Sequence, residues 1–386
     1  MKLQEIFSPK EYSHSDVDKM VYSRDASEFE GECQAVVWPT SKEQIIHMLK
    51  FGSSDGTHFS VRGAASNTFG ACVATRSVVV DMSRLHKVLE WGSDFVVVES
   101  GILLSDLLRS LEKKKLIFPI KPLEHPVCTI GGMLAMNCYG LDVYYGPIAQ
   151  WVEELEVITG KGDRILVSGA QIKDFIGMEG NTGIIYSAKL KLLQEPQEKT
   201  VSIFKFNTLS AMMDKVLILD KNPQVLSIEY FDDYCSNFLQ LGQAFHLLVE
   251  YKNDSGLIKN SEEIEKIDEM KEKLQHMLVN KKYTQKEDPK IPLEQIPKFL
   301  HWAQKNGVPC FGHMKLRILH PCLREGSKLH SEMYPFIQSL GGEIVGQYGT
   351  GMKRKRFVSL DKKIKYKNLK EKYDPSKILN RGVLFD

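Results

Sequence analysis

Three observations predict an α+β fold with two domains. A chain of 386 residues, 42% of them hydrophobic, has enough apolar surface for two separate cores. Valine-rich runs such as residues 78–81 alternate with stretches of helical periodicity. Two glycine-rich stretches, residues 62–70 and 129–137, each follow an apolar segment. Strands and helices that alternate in this way form an α+β pattern.

Strands and two helices make up the first half of the predicted fold. Residues 35–38 are apolar and β-branched, and Ser41 with Gln44 begins a capping box for the helix that follows. Leucines on one side predict a second helix over residues 103–115. A further strand-and-helix set runs over residues 151–193. The other strands are expected at residues 59–61, 78–81 and 95–98.

The pattern restarts at Val201, after the break near Pro196. A strand over residues 201–206, a helix over 209–220 and two more strands over 226–232 and 245–250 predict a small sheet backed by helices. Residues 252–290 are highly charged and suit an exposed helix. Its inner face is predicted to be Ile264, Ile267, Met270 and Leu274.

Charge and cysteine content narrow the class of protein. The net charge of +2 gives no reason to expect nucleic acid as a partner. Seven cysteines without a CxxC pair fit a reduced intracellular chain and exclude an internal iron–sulfur cluster from the prediction. The N-terminus lacks the apolar core of a signal peptide, and no stretch reaches the ~18 apolar residues of a membrane span. A cytoplasmic location is therefore predicted, with peripheral association at a membrane left open.

A basic run near the C-terminus has two readings. Residues 353–377 contain eleven Lys or Arg and three acidic residues. Such a run is usually a solvated face. The functional reading is a landing surface for an anionic substrate, an acidic redox partner or a membrane headgroup layer.

Both glycine-rich stretches are predicted to expose backbone N–H groups to an anion. In Arg62-Gly-Ala-Ala-Ser-Asn-Thr-Phe-Gly70, a strand runs into residues with small side chains, so successive amides can surround a pyrophosphate. In the second, Gly131 and Gly132 precede Asn137, a spacing that suits a loop around a flat ligand. Neither stretch has the helix-opening GxGxxG pattern of a nicotinamide site.

Taken in order, these motifs resemble the FAD-binding domain of the vanillyl-alcohol oxidase and p-cresol methylhydroxylase superfamily, in its glycolate oxidase flavin subunit and D-lactate dehydrogenase branch. The resemblance also includes Glu179-Gly-Asn-Thr-Gly183 and Tyr373-Asp-Pro-Ser-Lys-Ile-Leu-Asn380. It implies a two-part FAD-binding domain over residues 1–197 and a smaller α+β substrate domain over 198–350. Residues 351–386 are then a C-terminal return segment that packs on the FAD domain.

The resemblance implies a set of FAD contacts. No histidine or cysteine next to Arg62 resembles a covalent attachment site, so the FAD is predicted to be non-covalent, and Arg62 could neutralise its pyrophosphate. The expected FAD-binding residues are Arg62, Gly63, Ala64, Ala65, Ser66, Asn67, Gly70, Pro122, Thr129, Gly131, Gly132, Asn137, Gly140, Gly146, Glu179, Gly180, Gly183, Ile184, Ile185 and Asn380.

What the resemblance implies about activity is hydride transfer from a small anionic 2-hydroxy acid, such as D-lactate or glycolate, to FAD. The chemistry needs a cation for the carboxylate and a base for the hydroxyl proton. Electrons would pass to a separate acceptor protein, of the iron–sulfur or electron-transfer flavoprotein type, or to a quinone. The alternative is a subunit that holds FAD for electron transfer inside a larger complex and does not oxidise the acid itself.

The substrate motif of this branch is matched only in part. The family often carries two histidines seven apart around a Gly-Asp-Gly-Asn, followed by Gly-Glu-His-Gly, which together supply a metal site and a base. Here His313 and His320 keep the spacing, but Lys315-Leu-Arg317-Ile replaces the Gly-Asp-Gly-Asn. Gln347-Tyr348 stands where Glu-His is expected. A carboxylate ligand and the usual base are therefore missing.

Alternation of apolar and basic residues from 314 to 318 predicts a regular strand. On such a strand His313, Lys315 and Arg317 share one face and His320 lies on the other, so no metal site is predicted; a metal held by both histidines across a bulge is the alternative. The shared face either binds a carboxylate or phosphate or is a solvent-facing basic strand. Tyr348 is expected to donate a hydrogen bond to substrate or flavin, and a histidine to transfer the proton.

Overall fold

The computed structural model describes residues 2–252 and 255–385 and divides the chain into two compact units. The first unit comprises Met1–Pro196 together with Gln347–Asp386, and the second comprises Gln197–Gly346. Among the described residues, no helix has the length and apolar character needed to cross a membrane.

Fourteen elements of the first unit precede the second in sequence. They are α1 Leu3–Ile6, β1 Tyr12–Ser13, α2 Asp16–Tyr22, β2 Glu32–Val37, α3 Lys42–Asp55, β3 Phe59–Arg62, β4 Thr75–Asp81, β5 Val88–Trp91, β6 Phe95–Glu99, α4 Leu104–Glu112, α5 Ile130–Met136, β7 Val152–Thr159, β8 Arg164–Ser168 and β9 Gly183–Lys191.

A small, mostly parallel sheet carries the first glycine-rich loop. Its strand order is β1-β2-β4-β3, with β2, β4 and β3 parallel. Helix α3 covers it; the Ser41 side chain accepts the Gln44 N–H at the helix start, as the capping box predicts, and Gly56 ends the helix with a φ of 79°. Because β3 is an edge strand, its last residue leads directly into the loop.

The second sheet is antiparallel and has the order β5-β6-β9-β7-β8. Leu104, Leu107 and Leu111 of α4 are buried in its core, as the leucine spacing predicts. The predicted helix over residues 103–115 ends earlier, at Glu112. Lys115 takes a left-handed φ of 56° and its N–H returns to Glu112, which closes the helix.

The second unit is a six-stranded antiparallel sheet in the order β10-β12-β11-β14-β15-β13, combined with helices. Its exposed helix, expected somewhere within residues 252–290, is α8; Ile264, Ile267 and Leu274 are buried there as predicted. The elements are β10 Thr200–Phe206, α6 Leu209–Asp220, β11 Val225–Phe231, α7 Asp233–Phe238, β12 Phe245–Tyr251, α8 Ser261–Asn280, β13 Gln285–Lys286, α9 Ile296–Lys305, β14 Cys310–His313, β15 Ile318–Leu323 and α10 His330–Ser339.

The chain after residue 346 completes the first unit. It contains helix α11, Leu360–Tyr373, and then a segment that runs beside β3. Phe59 and Leu379 form a parallel bridge, and the N–H of Phe59 donates to the carbonyl of Ile378 at 2.7 Å. The last residues therefore add backbone pairing to the edge strand that leads into the first loop.

Candidate active site

The first glycine-rich loop leaves a run of backbone donors without an acceptor. Within the described parts of the chain, none of the N–H groups of residues 63–68 donates a hydrogen bond. Ala65 and Gly70 turn the chain with left-handed φ values of 56° and 76°. Successive N–H groups in such a turn form a concave site for an anion. The loop therefore has the donors that a pyrophosphate requires.

Arg62 is bound on another partner in this arrangement. Its guanidinium donates to the carbonyl of Arg24 and lies 4.9 Å from the centre of the Tyr22 ring. The expectation that Arg62 neutralises the pyrophosphate gains no support from these contacts. The unpaired donors of the loop are backbone groups.

Asn67 shapes the loop from inside. Its Oδ1 accepts the N–H groups of Phe69 at 2.9 Å and Ala71 at 3.3 Å, and its Nδ2 donates to the carbonyl of Tyr348 at 3.1 Å. With both ends of the amide engaged, Asn67 holds the loop in shape and links it to the C-terminal part of the unit.

The second glycine-rich stretch does not expose its N–H groups, contrary to the prediction. Residues 130–136 form helix α5, and its first donors are already used: Gly131 donates to the carbonyl of Ser100 at 2.7 Å and Gly132 to Thr129 Oγ1 at 3.2 Å. Asn137 ends the helix in a left-handed conformation, with a φ of 51°. An apolar run with glycines is compatible with a loop or a helix start, and the threonine cap decides for the helix.

Close approach is what the glycines of the two stretches provide. A Cβ on Gly63 would lie 2.3 Å from Thr129 Oγ1, and a Cβ on Gly131 would lie 2.7 Å from the Cβ of Ser100. The two stretches are thus in direct contact, and larger side chains would push them apart. A concave run of free donors, backed by a second segment that only glycine can approach, fits the pyrophosphate of FAD.

Pro122, Gly140 and Gly146 lie in the segments that flank helix α5. A Cβ on Gly140 would lie 2.7 Å from the backbone nitrogen of Lys121, so Gly140 contacts the segment that contains Pro122. Gly146 has a φ of 75°, which favours glycine. These positions have a steric reason for glycine that is independent of a ligand.

Residues 183–185, expected to bind FAD, are part of strand β9. They pair with β7, and the side chains of Ile184 and Ile185 are buried in two hydrophobic clusters. Their backbone pairing and burial give them a structural role. The contribution of this motif is concentrated at its first residues.

Asn380 ties the return segment to that motif. Its Oδ1 accepts the N–H of Val61 at 2.7 Å, and its Nδ2 donates to the carbonyl of Glu179 at 2.5 Å. A Cβ on Gly180 would lie 2.5 Å from Asn380 Nδ2, so this turn needs glycine. One side chain thereby fixes β3, just before the first loop, to the turn at Glu179.

Glu179 binds a segment that we call the clasp, residues 347–354. Its two carboxylate oxygens accept the N–H groups of Thr350 at 2.6 Å and Gly351 at 2.9 Å. Burial raises the pKa of Glu179 to about 7, although these hydrogen bonds and the charge of Arg354 act in the opposite direction. Glu179 was expected to contact FAD, and its observed partners are backbone donors of this unit.

The clasp also contacts the first loop. The N–H of Met352 donates to the carbonyl of Phe69 at 2.9 Å, and the Tyr348 ring lies parallel to the Phe69 ring with 6.3 Å between their centres. Arg354 is fully buried; its guanidinium carbon lies 3.7 Å from the centre of the Phe69 ring and its Nη1 donates to Gly349. Tyr348 is thus held next to the pyrophosphate loop.

In the second unit, the predicted regular strand through residues 313–320 is wrong. Strand β14 ends at His313, Met314–Leu316 form a 3-10 turn, Arg317 has a left-handed φ of 64°, and β15 begins at Ile318. The alternation of apolar and basic residues continues through the turn, so the pattern alone did not reveal it. Consequently His313, Lys315 and Arg317 do not share one strand face.

This hairpin brings the two histidines together. His320 is paired across the hairpin with Phe311, two residues before His313, and the two imidazole rings meet edge to face with 5.1 Å between their centres. The objection that these histidines face opposite sides therefore does not hold. His313 Nδ1 lies 2.6 Å from Glu229 Oε2, and His320 Nδ1 lies 3.0 Å from the carbonyl of Glu287.

The two predicted cations have other partners. Arg317 makes a two-pronged ion pair with Asp220, at 3.0 and 2.8 Å, and also donates to the carbonyl of Met314. Lys315 Nζ donates to the carbonyl of Val225 at 2.8 Å, and burial lowers its pKa. Arg317 stabilises the turn, so we do not assign it to a substrate carboxylate.

Sequence reasoning missed Glu229, the partner of His313. It is a single acid in the apolar segment Leu226-Ser-Ile-Glu-Tyr-Phe231 and pairs across the sheet with His313. A lone carboxylate in a strand that is otherwise buried is costly unless it has a partner. That cost is the signal that could have identified it.

Two protein families match the chain. The FAD binding domain family matches residues 33–168, and the C-terminal domain family of FAD linked oxidases matches residues 310–384. The two segments together cover more than half of the chain, and the first contains both glycine-rich stretches.

Relatives and solved structures agree with these families. Glycolate oxidase subunit GlcD of Bacillus subtilis is 25% identical, over 100% of this chain and 96% of that protein. D-2-hydroxyglutarate dehydrogenase of Stutzerimonas stutzeri is 22% identical, over 96% and 95%. D-lactate dehydrogenase of Archaeoglobus fulgidus is 26% identical, over 60% and 54%.

Solved structures share the fold at low sequence identity. The 4-ethylphenol oxidase of Gulosibacter chungangensis has a TM-score of 0.79 and 15% identity, covering 98% of this chain and 95% of that one. Alkyldihydroxyacetonephosphate synthase has a TM-score of 0.69 and 16% identity, covering 98% and 83%. With its FAD-binding and C-terminal oxidase domains, the chain belongs to the FAD-linked oxidase family of the p-cresol methylhydroxylase type and is an FAD-dependent oxidoreductase.

Proposed function

We propose that this protein oxidises a 2-hydroxy acid of the D-lactate or glycolate type to the 2-oxo acid and passes the electrons to a separate acceptor. The names of its relatives support this substrate class: glycolate oxidase, D-2-hydroxyglutarate dehydrogenase and D-lactate dehydrogenase. Bound FAD supplies the capacity to accept a hydride. The protein must then bind the acid and take its hydroxyl proton. The observation that carries the proposal is the Glu229–His313 pair.

His313 is the proposed proton acceptor. Its side chain is 13% exposed and that of Glu229 7% exposed, with 2.6 Å between Nδ1 and Oε2. A carboxylate at Nδ1 fixes the tautomer whose lone pair is on Nε2, and it stabilises the imidazolium that forms. Among the described residues, Nε2 makes no hydrogen bond. Nε2 takes the hydroxyl proton as the carbon–hydrogen bond breaks and the carbonyl forms.

His320 has a supporting role in this proposal. It is 1% exposed and its Nδ1 is bound to a backbone carbonyl, so it is poorly placed to exchange protons with a substrate. Its ring packs edge to face on His313. We assign it to holding the His313 imidazole in orientation.

Lys315 and His313 are too far apart to act on one small acid. They bind Val225 and Glu229, which are four residues apart on β11 and so about 13 Å apart at the rise of a strand. Tyr348, held in the clasp, is the proposed hydrogen-bond donor to substrate or flavin. Lys315 is therefore left out of the proposed carboxylate site, as is Arg317.

A spectral titration tests the function. The FAD-loaded protein is mixed anaerobically with D- and L-lactate, glycolate and D-2-hydroxyglutarate, and the visible flavin absorbance is followed. Bleaching by one of these acids is expected. His313→Asn should slow the bleaching about 10²- to 10⁴-fold, the usual contribution of a general base, with FAD content unchanged.

The matched control is His301→Asn, an exposed histidine on α9 of the same unit, which should bleach at the normal rate. A proton acceptor also predicts a pH profile. With His313 present the rate should rise as the imidazole loses its proton, and that limb should disappear in His313→Asn. If His313→Asn bleaches as fast as the wild type, the assignment of the base is wrong.

A second function is favoured by one observation. Both predicted cations are engaged within the unit, and Gln347-Tyr348 replaces the Glu-His implied by the resemblance. A subunit that holds FAD only for electron transfer would need neither group. In that case none of the acids bleaches the flavin, whereas dithionite does.

A further inference from the structure

We propose that the solvent face of helix α11 is the docking surface for an acidic electron-acceptor protein. This inference rests on the proposed transfer of electrons to a separate acceptor. It identifies the place on the first unit where that acceptor binds and the sign of its charge. Neither the domain families nor the relatives' names specify such a surface.

The cations of the basic run fall into two groups. Arg354 and Lys370 are buried and bind groups of the unit itself. The exposed charges are six cations and two acids, Asp361 and Glu371. The exposed cations are Arg356, Lys362, Lys365, Lys367, Lys372 and Lys377. The surplus of positive charge is therefore concentrated on and around the outer face of α11.

Two large apolar side chains lie among these charges. Leu360 is 72% exposed and Ile364 is 50% exposed, and they are one helical turn apart. An apolar centre with a charged rim is the usual composition of a protein–protein interface, and complementary charge directs the encounter. A partner that covers these side chains and matches the lysines must have an acidic surface.

The inner face of the same helix contacts the flavin-binding elements. Tyr366 and Leu369 pack on a hydrophobic cluster to which all of these elements contribute. The contributing residues are Ala71 after the first loop, Met136 at the end of α5, Met178 before Glu179 and Met352 of the clasp. Lys370 also donates to the carbonyl of Asn181 at 3.0 Å. A partner on the outer face is therefore separated from these elements by about one helix diameter, ~10 Å.

Other occupants fit this surface less well. A small anion needs convergent donors in a concave site, whereas these lysines project from a convex helix. An interfacial membrane helix needs a broad apolar face. Here the inner face is already buried in the unit, which leaves Leu360 and Ile364 as the exposed large apolar side chains of α11.

The test compares two haem proteins of opposite charge, acidic cytochrome b5 and basic cytochrome c, as acceptors. The flavin is first reduced with dithionite, so the result does not depend on hydroxy-acid oxidation. Each haem iron takes one electron, two haems reoxidise one flavin, and the protons go to solvent. Cytochrome b5 is expected to be reduced faster, with a rate that falls as salt rises from about 20 mM to about 300 mM.

Lys365→Glu with Lys367→Glu should lower the cytochrome b5 rate about 10-fold or more and raise the cytochrome c rate, because the charge of the face is reversed. Reduction of a small neutral dye should not change. The control reverses two exposed lysines of helix α9, Lys298→Glu with Lys305→Glu, which gives the same change in total charge. It should leave the ratio of the two cytochrome rates unchanged.

The proposal is overturned if the α11 variant keeps the wild-type ratio of cytochrome rates, or if the α9 control changes that ratio equally. It is also overturned if the cytochrome b5 rate is insensitive to salt. If instead the wild type cosediments with phosphatidylserine vesicles and the α11 variant does not, the surface binds a membrane rather than an acidic protein. Failure of the hydroxy-acid titration alone would refute the proposed function and leave this result intact.

Discussion

Glu179 shows how a single buried carboxylate organises the flavin-binding unit. It accepts two backbone N–H groups from the clasp, while its own carbonyl accepts from Asn380. Its importance was inferred from the motif, but its partners, residues 350 and 351, lie about 170 positions away in sequence. Sequence patterns report local spacing, and a contact over that separation is fixed only when the fold forms.

The raised pKa of Glu179 predicts a pH-dependent stability. Its value changes from 4.5 to about 7 on burial, so the folded state holds this proton more tightly than the unfolded chain. The stabilisation is complete below pH 4.5 and is lost as the pH rises through 7. Relative to Glu179→Gln, the wild type should lose about 2–3 kcal/mol of unfolding free energy between about pH 5 and pH 8.

Denaturant unfolding of both proteins at fixed FAD concentration measures this difference. The control is Glu154→Gln, an exposed glutamate on β7, which should show no such divergence with pH. Parallel curves for the wild type and Glu179→Gln would mean that Glu179 titrates near its usual pKa.

At the scale of elements, the sequence identified the two glycine-rich stretches but not their different roles. The first has free backbone donors; the second is a helix start whose donors are used and whose glycines allow contact. The hairpin at residues 313–318 was missed for a related reason. Its apolar and basic residues alternate as a strand does, and only the left-handed Arg317, bound to Asp220, closes the turn.

The contact between the two stretches predicts a specific rescue. Gly63→Ala places a methyl group 2.3 Å from Thr129 Oγ1 and should weaken FAD binding about 10-fold or more. Thr129→Ala removes that oxygen, and the nearest remaining atom, the Cβ, is then 3.5 Å away. The double variant should therefore bind FAD about as well as Thr129→Ala alone.

FAD dissociation constants from flavin fluorescence complete this double-mutant cycle. Thr129→Ala by itself removes a helix cap and should cost about 1 kcal/mol of stability. If the effects of the two substitutions on the FAD dissociation constant simply multiply, the two stretches do not meet at this contact.

For the whole molecule, the outstanding feature is that the first unit is built from two parts of the chain. Lys370 is one of the groups that join them: it is 6% exposed and binds Asp374 at 2.8 Å and the carbonyl of Asn181 at 3.0 Å. The family resemblance predicted a C-terminal return segment. It did not predict a buried lysine in it, because a basic run normally indicates solvent.

Lys370→Met should destabilise the first unit by about 3 kcal/mol, since it leaves the buried Asp374 without its cation. The loss should appear in denaturant unfolding and as faster proteolytic cleavage after Tyr373. Lys367→Met, an exposed lysine on the same helix, is the control and should behave like the wild type. Equal resistance of both variants to the protease would show that Lys370 does not hold the segment.

The split first unit has a consequence for the order of events on the ribosome. Strand β3 lies at the edge of its sheet and is bridged by Leu379, which is translated more than three hundred residues later. The second unit is continuous, Gln197–Gly346, and can fold while that edge is still open. Flavin loading must therefore follow translation of the return segment, and until then the nascent chain exposes an unpaired β edge that invites aggregation or chaperone binding.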